Sequence, residues 1–107
     1  MILVTTETVP GREIIEVLGL VQGTSVRASH VGSDVGSFMQ NIVGGEIEQY
    51  TKLMAEVREQ SLDRIRDEAK AKGADAIVGM RFVSTEISMG AAELLAYGTA
   101  VCLSPAP

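Results

Sequence analysis

A chain of 107 residues is the length of one domain. Its 46% hydrophobic content excludes a disordered polypeptide. The net charge of −5, with nine basic residues gathered mostly in one stretch and interleaved with acids, excludes a nucleic-acid binder or an anionic-membrane binder, because both need clusters of Lys and Arg.

Residues 2–5 form a short β-prone run, and Pro10-Gly11 marks a turn. Across 12–28 the residues alternate loosely. Ile14, Leu18 and Leu20 share one parity, and Ile15, Val17 and Val21 share the other, so both faces are apolar. Gly19 and Gly23 interrupt the run. Glycine inside a strand marks a bulge or a close backbone approach, so 12–28 reads as one bent strand or a hairpin-like pair. Ser33-Asp34 offers an N-cap, and Val35, Phe38, Met39 and Ile42 follow at the spacing of one helical face. That short helix ends at Gly44-Gly45.

A long helix is expected over 46–72. Ile47, Tyr50, Met54, Val57, Ser61, Ile65 and Ala69 trace one stripe, widened by Leu53 and Leu62. Glu48/Lys52 and Glu68/Lys72 are spaced for i,i+4 ion pairs, Gly73 suits the C-terminal cap, and the charged face reads as solvated. Two strands follow, over 75–88 and 93–104, joined by a turn at Met89-Gly90-Ala91 as an antiparallel hairpin. In the first, Ala76, Val78, Met80 and Phe82 share one side against Ile77, Val83 and Ile87. In the second, Leu94, Ala96, Ala100 and Cys102 oppose Leu95, Tyr97, Val101 and Leu103. Residues 1–104 make a single α+β domain, with 105–107 a frayed tail.

One long helix and one short one cannot cover a sheet that is apolar on both faces. A compact chain of this length has a radius of gyration of about 13 Å, yet a strand of ~14 residues spans about 46 Å. Large apolar patches are rare on soluble monomers. A homo-oligomer is therefore expected, with a sheet face or edge at the interface. No apolar run approaches the ~20 residues of a membrane-spanning helix. The first residues lack the basic start of a secretory signal. The expectation is a cytoplasmic protein with no membrane span.

Several stretches in this order resemble the YbjQ family of small bacterial proteins of unknown function. They are Leu18-Gly19-Leu20-Val21-Gln22-Gly23, Gly44-Gly45 ahead of a long helix with Tyr50, Gly73-Ala74-Asp75-Ala76-Ile77-Val78-Gly79, and Gly98-Thr99-Ala100-Val101. The resemblance covers about residues 2–103. It implies an α+β subunit whose antiparallel or mixed sheet of about four strands packs on helices, like the dodecin subunit. It also implies a ring-shaped homo-oligomer, a pentamer, and it brings a heavy-metal-binding label.

Soft-metal sites use clustered thiolates and imidazoles. This chain has one Cys and one His, far apart, so within one subunit Cys102 and His30 are weak metal candidates. A symmetry axis that gathered copies of His30, Met39, Met80 or Met89 would change that, although Met ordinarily fills core gaps. Cys102, between Val101 and Leu103, reads as a small apolar strand residue. The Gly32–Gly36 turn at Asp34 precedes a helix start, where free amides hold anions, but Asp34 has the wrong sign. Arg81 and Glu86 are the unusual charges on an apolar strand. Their odd spacing puts them on opposite faces of a regular strand, and Glu93 is a candidate cross-strand partner for Arg81 or a neighbour of Glu86 across the 89–91 turn. His30, Asp34, Arg81 and Glu86 are thus the residues at which an intersubunit ligand would be sought. No nucleophile–base arrangement can be assembled. Three functions remain open: a non-catalytic oligomeric module for a small ligand or metal, a structural scaffold, and a weak enzyme acting through Arg81, Glu86 or His30 at an interface. The sequence names no cofactor.

Overall fold

The structure, a computed structural model, describes residues 1–28, 45–88 and 91–106, with side chains at 1–26, 51–84 and 93–106. The described residues form β1 (Ile2–Leu3), β2 (Ile14–Ala28), α1 (Gly45–Ala71), β3 (Ala76–Ser88) and β4 (Ala91–Leu103). The sheet order is β1-β3-β4-β2. β1 runs parallel to β3, and the β3–β4 and β4–β2 pairs are antiparallel, so the sheet is mixed. The short helix expected after Ser33-Asp34 lies outside the described residues.

Residues 12–28 resolve into one strand bent by two register shifts, between Ile14 and Glu16 and between Val17 and Gly19. Gly19 takes a left-handed φ of 106° at the second shift. This bulge resets the alternation. Ile14, opposite Leu103, and Val17, opposite Val101, lie on one face with Leu20; Leu18 and Val21 pack together on the other. The simple parities expected for this run are therefore wrong after each shift. β3 departs in the same way. Its register breaks between Val78 and Arg81, where Gly79 has φ 61°, so Met80 and Phe82 join the face of Ile77 rather than that of Ala76 and Val78. β4 keeps the regular alternation expected of it.

α1 lies on the face carrying Val21, Ile77, Met80, Ala96 and Ala100, which it closes with Ile65 and Ala69. Val57, Ser61, Ile65 and Ala69 are buried, the turn-by-turn stripe expected from the sequence. The helix can sit this close because β4 offers Ala96, Gly98 and Ala100 and β2 offers Gly23. A Cβ at Gly23 would run into the Ser61 carbonyl oxygen and the Ile65 amide nitrogen of α1. Ser61 is buried with its hydroxyl donating to the Leu94 carbonyl at 3.0 Å, which satisfies a polar group that would otherwise be costly.

Two side chains of the charged helix face do structural work at the β2 edge. The Gln22 amide donates to Glu68 Oε2 at 3.4 Å, and Arg64 donates to the Thr24 carbonyl. Glu68 thus reaches the strand and makes no ion pair with Lys72; the described ion pair on this face is Arg66–Asp63 at 3.3 Å. Carboxylate and guanidinium together occupy backbone groups that an edge strand otherwise presents to other chains.

Among the described residues, the opposite, outer face is covered at one end. There Ile2, Val4, Val9 and Ile14 pack on Ala76, Val78, Val101 and Leu103. Beyond that end Val17 and Leu20 are each 64% exposed, and Val26 and Val83 are exposed as well. The chain measures 53 × 24 × 17 Å with a radius of gyration of 17.0 Å. A compact chain of this length would have about 13 Å. The excess follows from strand length, since the 15 residues of β2 span about 50 Å.

Candidate functional site

The boundary between the covered and bare parts of the outer face holds a hollow of about 440 Å³, lined by Glu7, Ile14, Val17, Val78, Gly79, Arg81, Thr99 and Val101. Two strand irregularities create it. The β3 register breaks just past Val78, which lies opposite Thr99, and the β2 register breaks just past Val17, which lies opposite Val101. Both bulges therefore flank the same stretch of β4, one on each side. Bulges re-aim side chains and gather at functional sites.

The N-terminal segment supplies the rim. The Gly79 amide donates to the Thr6 carbonyl at 2.8 Å, and the Met80 amide donates to the Val4 carbonyl at 3.0 Å. Arg81 adds a side-chain tie: its Nη1 donates to the Thr5 carbonyl at 2.8 Å and to the Met80 carbonyl at 2.9 Å. The Thr6 hydroxyl donates to the Thr8 carbonyl at 2.7 Å, which stiffens the turn that carries Glu7. A guanidinium, a carboxylate and a hydroxyl thus stand around a floor of Val17, Val78 and Val101. Such a set recognises charge and shape.

Of the sequence-derived candidates, the two whose side chains are described, Arg81 and Cys102, lie on opposite faces of the sheet. Arg81 lies in the hollow. Cys102 is on the helix-covered face, opposite to it. Glu86 pairs with Ala92 at the far end of the β3–β4 ladder, and its side chain lies outside the described residues. His30 and Asp34 also lie outside them. Of the two places expected for Glu93, the register does not put it opposite Arg81, which faces Tyr97; it faces Thr85, next to the Glu86–Ala92 pair. Glu7 was not anticipated, since it belongs to a short polar stretch without periodicity. Thr99 was visible only as part of the Gly98–Val101 stretch.

Cys102 is half-buried, with its Sγ 3.5 Å from the Gly73 carbonyl oxygen it faces. Burial pushes the thiol pKa above its ordinary 9.0; the carboxylates of Asp75 and then Glu16 push it the same way, against a backbone hydrogen bond at Asp75. A raised pKa means that the thiol form is favoured by folding. Its contribution to stability is full below pH 9.0 and is lost as pH rises through the folded value. The expected outcome is slow iodoacetamide alkylation at pH 8, accelerating only above pH 9, and faster alkylation at a given pH in Asp75→Asn. A thiol that alkylates at the rate of a free cysteine at pH 8 would contradict this.

A heavy-metal site fits these residues poorly. Among the described residues no three His, Cys, Asp or Glu side chains converge, and the local field around Cys102 disfavours the thiolate that a soft metal takes. Among the described residues no helix is long and apolar enough to cross a membrane.

Comparisons with known proteins agree closely with one another. The chain is 55% identical over 103 residues to a UPF0145 protein of Archaeoglobus fulgidus, covering 96% of this chain and 95% of that one. A UPF0145 protein of Clostridium perfringens is 50% identical over 101 residues, covering 94% and 95%. A crystal structure of a protein of unknown function from Pediococcus pentosaceus, assigned to the DUF74 family, superposes with a TM-score of 0.66 at 15% identity, covering 97% of this chain and 98% of that one. At that identity the likeness speaks to the fold alone. The family profile YbjQ_1, described as "Putative heavy-metal-binding", matches residues 1–104. The chain belongs to the YbjQ family.

Proposed function

We propose that this protein is a homo-oligomeric module that binds a small ligand without catalysing a reaction on it, built as a ring of five copies, the number its family resemblance implies. A subunit related in shape to dodecin would suit such a ring. The observation that carries this reading is the outer face, which combines uncovered Val17, Leu20 and Val83 with the Arg81 hollow beside them. Apolar area left in water costs about 25 cal/mol per Å², so covering that face with other copies is favourable. The hollow sits at the margin of the surface so covered.

Native mass spectrometry of protein purified from its own source tests both halves. The expected spectrum shows a multimer carrying added small-molecule mass. A bare multimer would favour the scaffold reading, for which the uncovered Phe82 on the other face of β3 offers a separate contact point. A bare single chain would contradict the proposal outright.

A further inference from the structure

We infer that the hollow takes a small zwitterion with a branched aliphatic body, an α-amino acid of about the size of valine, its carboxylate on Arg81 and its ammonium on Glu7. This rests on the ligand-binding reading above and specifies the ligand. Arg81 and Glu7 line the same hollow, yet the two form no ion pair with each other. The Arg81 side chain and the backbone that carries Glu7 are both held in place. Arg81 is anchored on the Thr5 and Met80 carbonyls, and the Glu7 turn is tied down through Thr6 to Gly79 and Thr8. Two opposite charges that line one hollow without pairing disfavour a simple anion, which Glu7 repels, and a simple cation, which Arg81 repels. A molecule carrying both charges satisfies both at once, and a guanidinium is suited to grip a carboxylate with two parallel hydrogen bonds.

The floor decides the rest of the ligand. Val17, 64% exposed, presents branched apolar surface to the hollow over the buried Val78 and Val101, and Thr99 is the hydroxyl residue in the lining. A polar amino-acid side chain would lose its hydration against that floor without regaining hydrogen bonds. A volume of about 440 Å³ lies in the ordinary range for small-molecule sites, about 300–1,000 Å³.

The test is isothermal titration of the full chain with L-valine, with isovalerate, which lacks the amine, and with isobutylamine, which lacks the carboxylate. Valine is expected to bind at least about tenfold more tightly than either analogue, the worth of one charge-assisted hydrogen bond. Glu7→Gln should erase the advantage of valine over isovalerate while leaving the sedimenting mass unchanged. Arg81→Gln should weaken valine and isovalerate alike. Isovalerate binding as tightly as valine would overturn the zwitterion and leave the ligand-binding reading standing. So would a different molecule retained in the native mass spectrum alongside silent titrations. No heat from any of the three up to roughly 10 mM, with no mass retained, would overturn both.

Discussion

Gly23→Ala is expected to cost about 3 kcal/mol of stability, far more than an added methyl ordinarily does. The reason is what the methyl would meet. A Cβ at position 23 overlaps the Ser61 carbonyl oxygen and the Ile65 amide nitrogen, which are backbone atoms of α1 and have no rotamer by which to retreat. The helix would have to lift from β2. That would open the contacts of Ile65 and Ala69 with Val21, and would strain the Arg64 and Glu68 bonds to the strand edge. Urea unfolding followed by far-UV circular dichroism at matched protein concentration measures the loss. A change below about 0.5 kcal/mol would mean that α1 does not approach β2 as closely as described. Gly98→Ala provides a milder comparison, since its added Cβ would meet a side-chain methyl, Ile77 Cγ2, at 2.7 Å and then the Val78 carbonyl oxygen at 3.1 Å.

Leu20→Lys is expected to break the assembly while leaving the subunit folded. Leu20 is 64% exposed in the single chain, so its replacement costs the subunit little. In an oligomer that covers the outer face, the same change removes about 1.5–3 kcal/mol of burial per contact and adds a charge with no partner there. Association should weaken by about a hundredfold or more. Glu59→Lys, on the exposed side of α1, reverses a charge without touching the outer face and should leave assembly intact. Size-exclusion chromatography with light scattering separates the cases. A Leu20→Lys protein of unchanged mass would show that the outer face is not where copies meet.

The sequence made much of the architecture legible because most of it is a matter of period. The helix stripe through Val57, Ser61, Ile65 and Ala69 and the regular alternation of β4 required only a count of apolar positions. Gly19 and Gly23 were readable as a bulge and a close approach, and each of the two explanations is realised at one of them. The faces of β2 and β3 were not readable, because one residue inserted at a bulge inverts every later parity. Gly79 carries the same glycine signal as Gly19, but between Val78 and Met80 it reads as part of a regular strand.

The site was harder to see than the fold. Arg81 stood out as a charge on an apolar strand, but its partners are carbonyls of the N-terminal segment, and no local rule predicts that Thr5 returns to β3. Glu7 lies 74 positions away and acquires meaning only through that return. Glu68 is expected to pair with Lys72 and Arg64 stands out in no way, and the two instead hold the edge of β2.

Sedimentation velocity of the unmodified protein at low micromolar concentration tests most directly whether one chain leaves its outer face for others to cover. A single species of about five times 11.3 kDa is expected, with no population at the mass of one chain. A monodisperse, soluble 11.3 kDa species with Leu20 and Val17 bathed in water would contradict it.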